Sequence, residues 1–211
     1  MPPVATRAKP ARPDKKERGM MRIVGGRLRG LKLAEVGDGD PAAHLRPTTD
    51  RVREAMFNLI ENSHGIALEG ARVLDLFAGT GALGLEALSR GAARVAFVDD
   101  GAAARALLRA NVEKARAMGV TDIWRRDATN LGPNRGPGYD VVFLDPPYGQ
   151  RRGEAALASA LAGGWLAPGA LVVWEEEAPP LPPPGLTPVD QRRYGATLVT
   201  LLTHSMGTPA S

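Results

Sequence analysis

The chain of 211 residues contains no cysteine, so disulfide bonds and thiolate metal sites are excluded. Its three histidines are isolated and lack the spacing of metal ligands, so no metal site is expected. No apolar run approaches the roughly 20 residues of a membrane span, and the N-terminus lacks the apolar segment of a secretory signal. The sequence also shows no large heptad pattern. These absences favour a cytoplasmic protein that acts as a monomer.

Positive charge is concentrated near the N-terminus. Residues 1–33 contain ten basic and two acidic residues, so they carry a formal charge of +8, and the remaining residues carry −4. A basic arm on a mildly acidic body favours a polyanionic partner. The alternative is a solvated tail that only improves solubility. Residues 1–20, rich in Pro, Lys and Arg, are expected to be disordered.

Two elements are predicted between this tail and the larger part of the chain. The stretch MRIVGGRLRGLKLA (21–34) places apolar residues around a glycine pair, which predicts a β-hairpin that carries arginines. TTDRVREAMFNLIENSHG (48–65) has apolar residues at helical spacing, which predicts a helix. The candidates for its N-terminal cap are Thr48, Thr49 and Asp50. We therefore expect an N-terminal extension, residues 21–66, before a domain of residues 67–205.

From residue 70 onwards, strand and helix patterns alternate. The strand patterns are ARVLDLFA, ARVAFVD, TDIWRRDA, YDVVFLD and GALVVWEE, and the helix patterns are GALGLEALSRG, GAAARALLRANVEKARAMG and RRGEAALASALAG. After a Pro-rich linker come two strands with no helix between them, LTPVDQRR and GATLVTLLTH. The predicted fold class is α/β, with a doubly wound, mostly parallel seven-stranded sheet and an antiparallel hairpin at one edge.

A glycine-rich turn follows the first strand of this domain. VLDLFAGTGALG (73–84) passes from a strand through Gly79 and Gly81 into a helix. The glycines permit positive φ angles and close approach of a ligand, and the helix start offers free N–H groups. GTGALG also fits the dinucleotide pattern G-x-G-x-x-G, and Asp99 follows Gly79 by 20 residues, so a dinucleotide fold is an alternative.

Acids at three successive strand ends favour S-adenosylmethionine over a dinucleotide. Asp75 precedes the glycine turn, where it would repel a pyrophosphate but attract the ammonium of a methionine moiety. Asp99 ends the second strand and can accept both ribose hydroxyls, and Asp127 follows the third strand, where it can accept from an adenine amino group. Each acid alone could instead be a helix cap or a loop carboxylate, but three acids at successive strand ends make that alternative weaker.

The fourth strand, VVFL, ends in DPPY. An exocyclic amine of a nucleobase is a poor nucleophile because its lone pair is delocalised into the ring. The carboxylate of Asp145 and the carbonyl of Pro146 are suited to accept hydrogen bonds from its two N–H groups. The two prolines, Pro146 and Pro147, fix the direction of that carbonyl. Tyr148 offers a face for a base taken out of its stack. The alternative is a rigid turn without chemical function.

With these motifs the chain resembles the bacterial RsmD family, Rossmann-like S-adenosylmethionine-dependent enzymes that methylate guanine N2 at position 966 of 16S ribosomal RNA. The resemblance spans about residues 21–203 and is carried by MRIVGGRLRGLKL, LRPTTDRVREAMFNLI, VLDLFAGTGALGLEALSRGA, FLDPPY and RRYGATLVTLL. DPPY alone is shared with adenine-N6 and cytosine-N4 methylases, so it indicates the class of amine and not the base. The long basic N-terminus and Asp instead of Glu at position 99 depart from the family pattern.

The resemblance implies a role for each group of residues. It implies a cofactor site formed by Asp75, Phe77, Gly79, Thr80, Gly81, Asp99, Asp127 and Ala128, with Thr49 and Arg51 closing over it. It implies that the target guanine is held by Asp145, Pro146, Pro147 and Tyr148. It implies contacts to RNA phosphates from Arg22, Arg27, Arg29, Lys32 and Arg46. The expected partner is 16S ribosomal RNA within the small ribosomal subunit or an assembly intermediate, with no membrane and no metal.

Three other functions are open to the same sequence. A DNA amino-methylase would share DPPY, but the compact chain leaves little room for a separate target-recognition segment. A non-catalytic RNA-binding assembly factor would need neither DPPY nor the glycine turn. An NAD-dependent dehydrogenase conflicts with Asp75 and with DPPY. Residues 175–177, three consecutive glutamates, are expected to form a solvated strand end.

Overall fold

The computed structural model describes residues 21–35, 49–63, 67–147 and 150–205. The strands are β1 (Arg72–Leu76), β2 (Arg94–Asp99), β3 (Thr121–Arg125), β4 (Tyr139–Leu144), β5 (Leu166–Glu176), β6 (Leu186–Tyr194) and β7 (Thr197–His204). The helices are α1 (Asp50–Ser63), α2 (Ala82–Ser89), α3 (Ala102–Lys114) and α4 (Arg152–Ala162). Within these ranges, no helix has both the length and the apolar character needed to cross a membrane.

The strands form one seven-stranded sheet in the order β3-β2-β1-β4-β5-β7-β6. Strands β1 to β5 pair in parallel, and β7 pairs antiparallel with both β5 and β6. The predicted fold class is therefore confirmed, including the antiparallel hairpin at the sheet edge. Because β1 lies beside β4, the strand order reverses between them, which is where open α/β sheets bind ligands.

Apolar side chains cover both faces of the sheet. Helices α1, α2 and α3 pack on one face, against side chains such as Val73, Phe97 and Phe143. Helix α4 packs on the other face, against a second cluster that contains Leu144 and Trp174. Since both faces are buried, the central strands β2 and β4 contain continuous apolar runs, residues 95–98 and 141–144.

The N-terminal hairpin is present but irregular. Its two arms exchange backbone hydrogen bonds from Ile23 N–H to Leu31 C=O (3.0 Å) and from Leu33 N–H to Met21 C=O (2.9 Å). The chain reverses through a 3₁₀ turn at Gly26–Leu28, so the loop is wider than a tight glycine-pair turn. Met21, Ile23 and Leu33 are buried in the same apolar cluster as α1 and α2. The predicted tail, residues 1–20, and the boundary proposed at residue 66 lie outside the described residues.

Two helix ends show what local sequence does and does not determine. Helix α1 begins after Thr49, whose Oγ1 accepts the Val52 N–H (3.3 Å), so Thr49 is the cap among the three candidates. The pattern for α3 ran to residue 119, but the helix ends at Lys114. It ends there because Arg116 adopts a left-handed conformation (φ 53°), after which a 3₁₀ turn leads into β3.

The close packing of α2 on β2 leads to a prediction about Gly84. A Cβ at this position would overlap the Phe97 ring and lie 2.8 Å from Val95 Cγ1. Although alanine favours a helix, Gly84→Ala should lower the free energy of unfolding by about 1–2 kcal/mol, because overpacking outweighs propensity. Gly119→Ala is the control, since nothing lies within 4 Å of its Cβ position. Urea unfolding measures both, and equal stability of the two variants would contradict the prediction.

Candidate active site

The carboxyl ends of β1 to β5 meet at one edge of the sheet, around the crevice between β1 and β4. The turn after β1 has three residues at positive φ, namely Phe77 (59°), Gly79 (55°) and Gly81 (79°). A Cβ on Gly81 would overlap the side chain of Leu108 on α3, so any other residue there would have to displace it. Phe77 is not a glycine, and strained backbone of this kind clusters at ligand sites.

The side chain of Asp75 accepts a hydrogen bond from the first turn of α2. Gly81, the residue that caps α2, has no side chain, and the Oδ2 atom of Asp75 accepts the Gly84 N–H instead (2.9 Å). The side chain is almost fully buried, with 2% of its surface exposed. Burial raises the pKa of Asp75 to about 8, with a further contribution from the charge of Asp99 and an opposing one from the Gly84 N–H. The contact between Asp75 and the ammonium of a ligand stays a prediction.

Asp99 links the glycine turn to the start of α3. Its Oδ2 accepts the Gly79 N–H (2.9 Å), and its Oδ1 accepts the Gly101 N–H (2.8 Å). Burial raises the pKa of Asp99, although both N–H groups oppose that shift. The carboxylate is thus held in a fixed orientation at the end of β2, where the sequence predicted contacts with a ribose.

Asp127 is exposed at the end of β3, beside the buried Ala128. Its Oδ1 accepts the N–H (2.9 Å) and the hydroxyl (2.8 Å) of Thr129. The Thr129 N–H lowers the pKa of Asp127, and Arg152 contributes in the same direction. A loop carboxylate held in this way stays ionised near neutral pH, and its predicted contact with an adenine amino group stays a prediction.

Arg152, at the start of α4, was not among the predicted site residues, yet its side chain lies close to residues that follow three different strands. Its Nη2 lies 3.3 Å from Oδ1 of Asp127 and 3.9 Å from Oδ2 of Asp100. Its Cζ lies 5.2 Å from the centre of the Phe77 ring. The available signal was an arginine four positions after DPPY, at the start of a helix whose N-terminus faces the same strand ends as the acids.

Asp145, Pro146 and Pro147 lie at the end of β4, and Tyr148 is outside the described residues. Asp145 is half-buried and Pro146 is buried, whereas Pro147 is exposed. The register pairs Leu144 with Trp174, so Asp145, just past the end of β4, lies beside Glu175 of β5. Burial raises the pKa of Asp145 well above its ordinary value, and the nearby charges of Glu175, Asp75 and Glu176 add to that shift.

The expectation that residues 175–177 form a solvated strand end is wrong for Glu175, of which 3% is exposed. The reason is that β5 continues through this position and pairs with β7, Glu175 opposite Val199 and Glu176 opposite Leu198. Glu177, beyond the strand, is exposed. The three consecutive glutamates look alike in the sequence, although one is buried and one is exposed. The difference arises from β7, which lies later in the chain and covers β5.

The remaining predicted residues lie at the N-terminal elements. Thr49 and Arg51 are exposed at the start of α1, and Arg46 is outside the described residues. Arg22 donates from Nε to Oδ2 of Asp50 (3.0 Å). The exposed basic residues of the hairpin are Arg22, Arg27, Arg29 and Lys32.

A buried carboxylate on α2 fastens this hairpin to the sheet domain. Glu86 accepts the N–H groups of Val24 and Gly25, both at 2.8 Å, and it pairs with Arg90 Nε at 2.9 Å. Ser89 donates to Gly25 C=O (2.5 Å) and accepts the Leu28 N–H (2.8 Å). The hairpin is therefore docked on the helix that begins at the glycine turn.

An open α/β sheet whose β1–β4 crevice has a glycine turn on one side and Asp-Pro-Pro on the other is characteristic of the Rossmann-like methyltransferases. In the part of the chain that the structure describes, no three or more His, Asp or Glu residues are grouped so as to hold a metal ion. The family model described as "Conserved hypothetical protein 95" matches residues 21–203.

Named relatives agree with this class. Ribosomal RNA small subunit methyltransferase D of Escherichia coli (strain K12) is 39% identical over 168 residues, 79% of each chain. Its namesake from Haemophilus influenzae is 34% identical over 163 residues, 76% of this chain and 80% of its own. The solved structure of yhhF from Escherichia coli, a proposed methyltransferase, has a TM-score of 0.75 at 35% identity and covers 89% of this chain and 99% of its own. The chain belongs to the RsmD family of methyltransferases.

The buried position of Asp75 predicts how stability depends on pH. The pKa of Asp75 is about 8 in the folded chain, against about 4 for an unfolded aspartate. Between these values the folded chain keeps a proton that the unfolded chain has lost, so this group makes stability fall as pH rises.

Asp75→Asn keeps an acceptor for Gly84 but cannot ionise. Its free energy of unfolding relative to the wild type should therefore increase by on the order of 1 kcal/mol per pH unit between about pH 5 and pH 7. Urea unfolding of both proteins across this range measures the difference. A difference that does not change with pH would show that Asp75 does not hold its proton.

Proposed function

We propose that the chain transfers a methyl group from S-adenosylmethionine to the exocyclic N2 amine of a guanine in 16S ribosomal RNA, during assembly of the small subunit. The observation that carries this proposal is the placement of Asp145 and Pro146 at the end of β4, beside the glycine turn that ends β1. Family membership and the names of the relatives support ribosomal RNA as the substrate. The resemblance to the family points to the guanine at position 966.

The residues around the glycine turn fit the proposed methyl donor. Gly79 and Gly81 hold the turn at positive φ just before the start of α2, and Asp99 accepts the Gly79 N–H in the same turn. Asp75, Asp99 and Asp127 would face the ammonium, the ribose and the adenine, respectively, with Phe77 packing beside them. S-adenosylmethionine supplies a methyl group already activated as a sulfonium, so the chain mainly has to hold and align the reacting atoms.

The end of β4 provides the acceptors that a guanine amine needs. Asp145 and the carbonyl of Pro146 would accept hydrogen bonds from its two N–H groups. These contacts favour a pyramidal nitrogen with an available lone pair. As the nitrogen–carbon bond forms, the methyl–sulfur bond would break and leave neutral S-adenosylhomocysteine. Positive charge would develop on the nitrogen, and Asp145 would take the proton that leaves it. In its ionised form, a carboxylate whose pKa is raised by burial and by neighbouring acids is a stronger base for this step.

The exposed arginines of the hairpin would hold the RNA next to this crevice. Arg27 and Arg29 lie on the loop that Glu86 and Ser89 fix against α2. Contacts of this kind position the RNA backbone without reading its sequence. The hairpin would therefore determine where the RNA strand crosses the edge of the sheet, while the β4 end selects the amine.

Methyl transfer to defined acceptors tests the proposal. Labelled S-adenosylmethionine is offered with unmodified small ribosomal subunits, with naked 16S ribosomal RNA and with duplex DNA, and the product nucleoside is identified by mass spectrometry. We expect N2-methylguanosine in the ribosomal acceptors. Label confined to DNA would establish an amino-methylase of DNA instead, and cofactor binding without transfer to any acceptor would favour a non-catalytic binding factor.

Substitution of Asp145 tests its role as acceptor and base. Asp145→Asn keeps an acceptor oxygen but no longer takes up a proton readily, so methyl transfer should fall by about 10²–10⁴-fold. Asp145→Ala should abolish transfer, and both variants should still bind the cofactor. Glu177→Gln removes an exposed acid near the same edge and is the matched control. Transfer by Asp145→Ala at the wild-type rate would remove Asp145 from the mechanism.

The hairpin arginines predict a specific dependence on salt. The double variant Arg27→Gln, Arg29→Gln should bind the small subunit more weakly. The negative slope of log affinity against log salt concentration should become shallower by about 1 for each lost phosphate contact. Arg135→Gln is the control, because the exposed Arg135 precedes β4 and so lies near the amino ends of the parallel strands, away from the crevice. If the control lowers the slope as much per charge, the hairpin makes no direct contact.

A further inference from the structure

The open end of the hairpin is tied to the glycine turn by one side chain of α3. Asn111 is completely buried. Its Oδ1 accepts the Ala34 N–H (2.6 Å), and its Nδ2 donates to Ala34 C=O (3.1 Å) and to Thr80 C=O (2.9 Å). Thr80 is the middle residue of the turn Gly79–Gly81. A single amide group therefore joins the end of the hairpin to the turn predicted to hold the methyl donor.

A second contact reaches the same residue from the other arm of the hairpin. The Thr80 hydroxyl donates to the sulfur of Met21 (3.4 Å). Met21 in turn accepts the Leu33 N–H through its carbonyl (2.9 Å). Both arms of the hairpin thus meet at Thr80, whereas its closed end, with Arg27 and Arg29, is held separately by Glu86 and Ser89 on α2.

This arrangement allows a shift of the hairpin to act on the turn. The planar amide of Asn111 satisfies both backbone groups of Ala34 at once, so its orientation follows that residue. The same amide holds Thr80 C=O, which lies between two glycines at positive φ. Buried polar groups must stay paired, so Ala34, Asn111 and Thr80 have to move together.

We infer that Asn111 is a positioning residue that couples RNA contact at the hairpin to the affinity of the glycine turn for the methyl donor. The inference rests on the proposed function, since it requires that both ligands bind at these places. Coupling of this kind is reciprocal, so RNA should strengthen cofactor binding by the factor by which the cofactor strengthens RNA binding.

Equilibrium dialysis with labelled S-adenosylhomocysteine measures the coupling without turnover. The affinity of the full-length protein is determined alone and with saturating unmodified small subunits. We expect the subunit to tighten binding by on the order of tenfold, within the usual range of coupling between sites. Equal affinity with and without the subunit would overturn the inference, whether or not any variant folds.

Two variants locate the coupling. Asn111→Ala removes the link to Thr80, so the ratio of the two affinities should fall below about twofold. Ser89→Ala is the matched control, because it also removes two hydrogen bonds that dock the hairpin but makes none to the turn. Its ratio should stay near the wild-type value, even if both variants melt at lower temperature.

The outcomes separate this inference from the proposed function. Loss of coupling in Ser89→Ala to the same extent would show that hairpin docking in general, and not Asn111, carries the effect. Wild-type protein that methylates the small subunit but shows no coupling would overturn only the role of Asn111. Wild-type protein that neither binds S-adenosylhomocysteine nor transfers methyl would overturn the proposed function itself.

Discussion

The pairing of β1 with β4 is the constraint on which the site depends. These strands are neighbours in the sheet although β2 and β3 separate them in the chain, and their register places Leu76 beside Leu144. The glycine turn and Asp145 therefore leave the sheet next to each other. Helix α2 then crosses one face and α4 the other, which keeps the space between the two strand ends open. No local motif produces this proximity, because it requires the parallel sheet to assemble first.

The electrostatics of the crevice follow from the same packing. Asp75 and Asp145 lie at adjacent strand ends in surroundings that disfavour ionisation, and the charges of Asp99 and Glu175 add to the effect. Such burial lowers the stability of the folded chain at neutral pH. A ligand that carries an ammonium and a sulfonium would relieve it, since opposite charges favour the ionised carboxylates. A site that is unfavourable for the free protein thereby becomes selective for a cationic partner.

The sequence was informative where function or burial required a continuous local pattern. Strands β1 and β4 were predictable because both faces are covered, so apolar runs (residues 73–74 and 141–144) lead up to Asp75 and Asp145. Arg116 was not, since a left-handed arginine leaves no compositional trace. Glu175 was misinterpreted because β7, which covers it, lies further along the chain. Asn111 could not be recognised at all, because its partner Ala34 is 77 positions away in the chain.

The buried Glu86 explains why the hairpin belongs with the methyltransferase domain. A carboxylate on the inner side of α2 would be costly without partners. The partners come from three places, namely the N–H groups of Val24 and Gly25, the Arg90 side chain on the same helix, and Arg53 on α1, whose Nε lies 3.8 Å away. Removal of the hairpin would leave this charge with its two arginines but without the N–H groups that orient it. The domain and the hairpin therefore stabilise each other, and the exposed arginines keep a fixed direction relative to the crevice between β1 and β4.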